Sequence, residues 1–313
     1  DRWDKSGSCF VVSHPDQISM IDVSKGEKSF PSGSNVLDRY LGVKATDDYK
    51  PAIELLRFMT PFGVGHFSND LNTHRKPVYI PKWEEEVVWE SDISQLLEVV
   101  DNTFYVGVWI DSWTVEGYKV DLSLHYSNRP KKSVHIKPLV NTINYVNGQP
   151  LPDFFAETPL EHEFSFEKRA KNVKLYYITT GHGGHSGGDE FVKIKNVVWV
   201  NGKQILDIEP WRDDCASFRR FNPTSGVWLK KDSASYIDFE ARKYKVKEIE
   251  ERIASSDLSR SNWCPGSKVE PIVLDLGDLE AGVHDLKIEI GASKAEEEKY
   301  NRWLVSAYLT YEE

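Results

Sequence analysis

Cysteine is scarce in this chain: Cys9, Cys215 and Cys264 are its three. An odd number leaves at least one thiol over, and the count alone does not choose between an oxidising and a reducing compartment. No apolar run approaches the roughly 20 residues of a membrane helix, so no membrane span is expected. No signal-peptide pattern opens the sequence, as expected of a chain that begins after processing. Acids outnumber bases to give a net charge of −10, and no basic stripe carries interleaved aromatics. Phosphate neutralisation is therefore missing, which excludes nucleic acid as a partner. P-loop, G-x-G-x-x-G, H-E-x-x-H and G-x-S-x-G motifs are all lacking, as are heptads and repeats with a period of roughly 20 to 50 residues.

What the chain does have is length and rings. Its 313 residues suit two domains, each of about 150 residues, large enough to dispense with a metal or a dense disulfide framework. A hydrophobic content of 40% indicates a globular chain. The 10 Trp and 14 Tyr suit β-sheets, and flat rings also suit the C–H faces of sugars. Strand-length segments with period-2 or continuous apolar character dominate: Glu86–Glu90, Thr103–Ile110, Tyr118–Tyr126, Val173–Thr179, Phe191–Val200 and Val283–Ile290. Asn147-Gly148 and Asn201-Gly202 read as hairpin turns. Strands recurring without alternating helices predict an all-β chain of antiparallel sandwiches. The polar connector Tyr126–Lys132 places a domain boundary at 129/130, giving domains 1–129 and 130–313. Residues 230–256 are charged and partly helical in pattern, with Ile249 and Ile253 four apart. They read as an inserted excursion, either a solvated decoration or a lid.

Four short stretches hold isolated acids among glycines or aromatics: Asn35–Tyr40, Trp109–Trp113, Thr179–Phe191 and Ser259–Gly266. Five glycines between Gly181 and Gly188 predict a loop that delivers His182, His185, Asp189 and Glu190 to a strand beginning near Phe191. A metal site, a structural loop and a substrate-contacting loop are all compatible with that composition. In a strand, Trp109, Asp111 and Trp113 project to one face. Burying an unpaired carboxylate is costly, so the pattern suits either a cleft wall, with rings to hold a sugar and an acid for its hydroxyls, or an edge strand facing solvent.

Taken in order, NVLDRY, RFMTPFGVG (Arg57–Gly65), WIDSW, the glycine loop ending in Asp189-Glu190, and RSNWCPG resemble the peptide-N-glycosidase F family over about residues 35–275. The resemblance implies two side-by-side antiparallel jelly rolls and hydrolysis of the amide between asparagine and the innermost N-acetylglucosamine. It implies neither metal nor organic cofactor. The implied substrate is an N-glycoprotein or N-glycopeptide, attacked by a monomer. By position, Asp38 falls on the family's principal catalytic acid, with Arg39 beside it, and Glu190 on its second essential glutamate. Asp111 falls on a glutamate that bonds the innermost sugar. Trp113, His182, Asp189, Arg260 and Trp263 are implied substrate contacts, with Arg260 or Arg39 as the electrostatic partner. Three converging acids would raise at least one pKa, which implies a near-neutral or mildly acidic optimum. The resemblance also implies a Cys215–Cys264 disulfide, which places the chain outside the cytosol, secreted or periplasmic, with Cys9 left over.

The chain departs from the family pattern in four places. Leu37 stands where the family has tryptophan, His182 replaces a tryptophan, no cysteines flank Glu190, and Asp111 is one methylene shorter than glutamate. Two rival readings accompany the glycoamidase: a sandwich that binds glycans without turnover, and a copper monooxygenase on a paired jelly roll. The second needs a Met ligand, and Met20 and Met59 are the two available.

Overall fold

The computed structural model describes residues 3–12, 17–62, 82, 84–100, 103–115, 117–127, 134–222, 225, 227–296 and 299–313. In chain order the strands are β1 (Ser6–Val12), β2 (Ile53–Met59), β3 (Tyr105–Ile110), β4 (His135–Asn141), β5 (Leu160–Phe166), β6 (Ala170–His182) and β7 (Asn196–Val200). They continue with β8 (Lys203–Ile208), β9 (Val227–Asp238), β10 (Lys243–Ala254), β11 (Lys268–Val269), β12 (Ile272–Leu279), β13 (Gly282–Ile290) and β14 (Arg302–Glu312). Helices are confined to short pieces such as α1 (Met20–Ser24) and α2 (Leu97–Val100). None of those described is long and apolar enough to cross a membrane.

The second half is a sandwich of two four-stranded antiparallel sheets, ordered β12-β6-β14-β4 and β5-β13-β7-β8. Setting aside β9, β10 and β11, its first strand lies beside its last, and consecutive strands alternate between sheets except at β7–β8. That is the jelly-roll order. Leu139, Phe164, Val173, Leu175, Leu286, Ile288 and Val305 belong to the core between the sheets. The first half contributes the sheet β11-β2-β1-β3, in which β11 crosses over from the second half of the chain. This sheet docks on the other through Cys9, Val11, Ile53, Leu55 and Tyr308, joined by Leu96, Val99 and Val100 around α2. The expected boundary at 129/130 lies outside the described residues.

A β-bulge prepares the contact between the halves. Cys9 pairs with Leu56 and Phe10 with Glu54, leaving Leu55 as the extra residue. The extra residue resets the side-chain alternation. Glu54 and Arg57, three apart and normally on opposite faces, meet in a fully buried bidentate pair, Arg57 Nε–Oε1 at 3.0 Å and Nη2–Oε2 at 2.5 Å. Arg57 also donates to the Leu304 carbonyl (2.5 Å) and to Thr180 Oγ1 (3.2 Å), while Ser306 donates to Glu54 (2.5 Å).

Several local expectations are corrected. Glu86–Glu90, a short apolar run, and Tyr118–Tyr126, which alternates as strands do, pair with no strand among the described residues. Trp89 instead stacks on Phe58 with centroids 4.4 Å apart, and Tyr126 donates its hydroxyl to the Val100 carbonyl. The strand expected from Phe191 begins at Asn196. Asn201-Gly202 does form the β7–β8 hairpin, with both residues at positive φ (52° and 70°). Asn147-Gly148 turns the chain without making a hairpin, because β4 pairs with β14 and β5 with β13.

Residues 227–254 form a twelve-residue-a-side antiparallel ribbon of β9 and β10, so the helical reading of this segment is overturned. A spacing of four, as at Ile249 and Ile253, is also even and places both on one face of a strand. The ribbon lies inside the loop closed by the Cys215–Cys264 disulfide, whose cysteines are 49 residues apart. Chain-entropy arguments give such a closure about 4 kcal/mol. Changing both cysteines to serine is expected to lower unfolding free energy by that order in urea melts, and an unchanged midpoint would contradict it.

Candidate functional site

The site grows from the strand ends where the two halves meet. Strand β1 lies between β2 and β3, and the chain just before it carries Asp4 and Lys5. Lys5 is fixed on one side by Thr60, its N–H donating to Oγ1 (2.9 Å) and its carbonyl accepting from the Thr60 N–H (2.8 Å). On the other side, the Asp111 N–H reaches the Ser6 carbonyl at 3.0 Å, so Asp111 continues the β3 ladder by one residue.

A tight turn then changes the WIDSW pattern: the Ser112 N–H bonds the Ile110 carbonyl (2.7 Å). Trp113 therefore leaves the strand and folds back, its indole N–H donating to Asp111 Oδ1 (2.9 Å). The same-face reading holds only in part, because Trp109 packs inward on Tyr145 while Trp113 is 61% exposed. The other Asp111 oxygen accepts from Arg302 at the head of β14. Both Lys5 Nζ (5.3 Å) and Arg302 (5.6 Å) lie over the Trp113 ring. Burial lowers the pKa of Lys5, and the Arg302 cation adds to that, against the pull of Asp111 and Asp4.

Opposite Arg302 in the β14–β6 ladder stands His182. It is not on a loop, since β6 runs to this residue, and it is buried, with Nε2 2.9 Å from Thr180 Oγ1. Its ring stacks on Trp263 (5.5 Å, 26°). Burial, then the Arg302 and Arg57 charges, hold its pKa well below the ordinary range, so the imidazole is neutral. Trp263 is itself buried, its indole N–H bonded to the Gly181 carbonyl at 2.9 Å. The rings of His182 and Trp263 are thus a floor under the site rather than a surface open to sugar.

Gly181 and Gly188, on either side of the segment that follows His182, are there for close packing. A Cβ on Gly181 would stand 2.6 Å from the Trp303 ring, and one on Gly188 would stand 2.0 Å from the Gly183 carbonyl oxygen. Asp189 fastens this segment. It is fully buried, accepts the Trp303 indole N–H at 2.9 Å and the Ser293 N–H at 3.2 Å, and its own N–H bonds Asn301 Oδ1 (3.0 Å). Its expected substrate contact is replaced by a buttressing role.

Glu190 projects from the end of this segment onto Arg260, Oε1 accepting from Nε at 3.0 Å. Arg260 is only 1% exposed, and its Nη1 and Nη2 donate to the Leu258 (2.7 Å) and Ser255 (3.0 Å) carbonyls. Trp263 and Phe191 cover its planar faces at 4.9 and 5.1 Å. A guanidinium so enclosed does not reach substrate, which corrects the contact implied for it. Its Nη2 also lies 3.6 Å from Asp4 Oδ2. Burial raises Glu190 to about 7, with Asp4 adding repulsion and Arg260 opposing. A folded state that keeps a proton which the unfolded chain releases near pH 4.5 loses stability as pH rises from there through 7, by about 3 kcal/mol. Glu190→Gln removes this dependence. The variant is expected to gain that much on the wild type between about pH 4 and pH 8 in urea melts, and a pH-independent difference would contradict the assignment.

Asp38 and Arg39 occupy an exposed turn, closed by Tyr40 N–H to the Leu37 carbonyl at 3.0 Å. Arg39 pairs with Glu157 and lies over the Tyr40 ring (4.9 Å). No hydrogen bond or ion pair among the described residues joins Asp38 to the cluster. The turn is tied to it indirectly: Tyr40 donates to Asp153, and the adjacent Pro152 carbonyl accepts from the N–H of Trp303, next to Arg302. Asp111, Trp113, His182, Glu190, Arg260 and Trp263 therefore come together, with Asp38 on a neighbouring loop. Asp4, Lys5, Arg302 and Asn301 join them, none of them part of the motifs that stand out in the sequence. A charged pair just ahead of the buried SGSCFVV strand was the available signal for Asp4 and Lys5. Among the described residues no three His, Cys, Asp or Glu are placed to hold a metal ion.

The chain matches the peptide-N-glycosidase F N-terminal domain over residues 1–126 and its C-terminal domain over residues 150–310. The first 30 residues, which carry no visible resemblance of their own, are thus included. No curated protein sequence matches significantly. Two crystal forms of PNGF-II, P21 and C2, align with TM-scores of 0.76 and 0.77 at 32% identity, covering 99% and 100% of this chain. The chain spans about half the length of those proteins, 55% and 54%. PNGase F from Flavobacterium meningosepticum, described as a glycosylasparaginase, aligns with a TM-score of 0.53 at 12% identity, over 99% of this chain and 79% of its own, a likeness of fold. With both of the family's domains matched along its length, the chain belongs to the peptide-N-glycosidase F family.

Proposed function

We propose that this protein is a glycoamidase, hydrolysing the amide between asparagine and the innermost N-acetylglucosamine of N-linked glycans. One observation carries the reading: in a chain of this family, Asp111 on Arg302 and Glu190 on Arg260 come from distant parts of the sequence and are bridged by the His182 and Trp263 rings, with an exposed tryptophan and a half-buried lysine beside Asp111. The Trp113 ring receives the sugar's C–H face, and Asp111, already aligned by Arg302, accepts from its hydroxyls.

Amide hydrolysis needs a deprotonated water, a stabilised oxyanion and a proton for the departing nitrogen. Asp38, exposed on its turn, is the general base for the water that attacks the asparagine side-chain carbonyl carbon. Lys5 and Arg302 supply positive charge for the oxygen as the tetrahedral intermediate forms. Glu190, with a pKa raised to about 7 by burial, is protonated at mildly acidic pH. It gives its proton to the nitrogen as the C–N bond breaks, leaving aspartate and a glycosylamine. Activity should therefore fall as pH rises through about 7. The Cys215–Cys264 disulfide suits an oxidising compartment, and we assign the chain to the secreted or periplasmic space.

The test is a denatured N-glycoprotein incubated with the enzyme, with and without a chelator. Glycan loss with conversion of asparagine to aspartate, in both arms, is the expected result. Glycan loss that leaves N-acetylglucosamine on asparagine would overturn the amidase reading, and sugar binding without release would favour a glycan-binding sandwich.

A further inference from the structure

Asp4 has no role in the reaction as described, yet it is a carboxylate buried against the one guanidinium that holds Glu190. Its Oδ2 lies 3.6 Å from Arg260 Nη2, too long for a hydrogen bond, and has no hydrogen-bond partner among the described residues. Arg260 bonds Glu190 through Nε at 3.0 Å and donates from Nη1 and Nη2 to two carbonyls. One positive charge thus stands between two buried acids and can compensate only one. The remaining surroundings add little positive charge. Lys5, the next residue, pulls on Asp4 less than Arg260 does, because it is turned over Trp113 and drawn more strongly to Asp111. The phenol of Tyr118, which faces Asp4 beside Thr60, is neutral.

We propose that Asp4 is a positioning residue that keeps a proton on Glu190: the two carboxylates and Arg260 form a unit that holds one proton in the state ready for catalysis. Coupled acids of this kind titrate in two separated steps belonging to the pair; burial moves both groups upward, and the Asp4 charge adds to it at Glu190. Asp4 reaches no substrate, so its influence is felt only through the protonation of Glu190.

This inference rests on Glu190 as the proton donor, and two readouts keep the two ideas apart. Carbon NMR of the Asp and Glu side-chain carboxyls, with Glu190→Gln and Asp4→Asn as assignment controls, follows titration without reference to activity. In the wild type we expect one of the pair to titrate near neutrality and the other well below it. Both titrating together in the ordinary carboxylate range would overturn the proposal, a measurement that stands even if Asp4→Asn does not fold. In folded Asp4→Asn we expect Glu190 to titrate about one pH unit lower. The alkaline limb of kcat should move with it and KM should stay unchanged, while Asp4→Glu restores both. An unmoved Glu190 titration in the folded variant would overturn the proposal. A moved titration with an unmoved kcat limb would support the Asp4–Glu190 coupling and remove Glu190 as the donor.

Discussion

Replacing Asp38 with asparagine should lower kcat by about 10²–10⁴-fold, the usual contribution of one positioned general base. The side chain is exposed on a turn, its neighbours Arg39 and Tyr40 are held by Glu157 and Asp153, and no described hydrogen bond depends on its carboxylate. The fold therefore has little to lose, and thermal stability should stay within about 0.5 kcal/mol of the wild type, as for surface substitutions in general. Substrate binding should also survive, because the sugar contacts lie on Trp113 and Asp111 rather than on this turn. Loss of turnover with an intact melt is the expected pattern. A fully active Asp38→Asn would move the base elsewhere, with Asp111 the next candidate.

The largest stability effect should follow from Arg57→Met. It leaves Glu54 as an uncompensated buried carboxylate that keeps only the Ser306 hydroxyl, and breaking a buried pair in this way costs about 3–5 kcal/mol. The loss also unties the β2 sheet from the Leu304 carbonyl and Thr180. Because β2 leads directly into Thr60, which fixes Lys5, the variant should lose activity together with stability. Urea unfolding followed beside the activity assay checks both. A double replacement of Glu54 and Arg57 by apolar residues of similar size should be far milder, since it removes both charges at once.

The all-β architecture was legible because period-2 segments and turn residues are local signals, and β3, β6 and β13 lie within or around segments with that pattern. Pairing is not local, which is why Glu86–Glu90 and Tyr118–Tyr126 read as strands without becoming them. The β9–β10 ribbon was hidden for a different reason: its charge density and the four-residue spacing of its isoleucines satisfy both periodicities. Of the residues proposed for the site, the acids Asp38, Asp111 and Glu190 were visible from motif order. Their neighbours were not. Arg302 acquires its place only through the register that sets it against His182, and Lys5 only through the position of β1 between two strands. Burial likewise separated Trp113, open to solvent, from Trp263, which no sequence pattern distinguishes as part of the floor.

As proposed, Asp38, Asp111 and Glu190, from remote parts of the chain, act on one sugar held against Trp113. Crystals soaked with di-N-acetylchitobiose, the reducing end of an N-glycan, examine this most directly. We expect the first sugar against Trp113, its hydroxyls on Asp111, and its anomeric end between Asp38 and Glu190. A disaccharide seated on another surface, or one whose anomeric carbon faces away from both acids, would contradict the account.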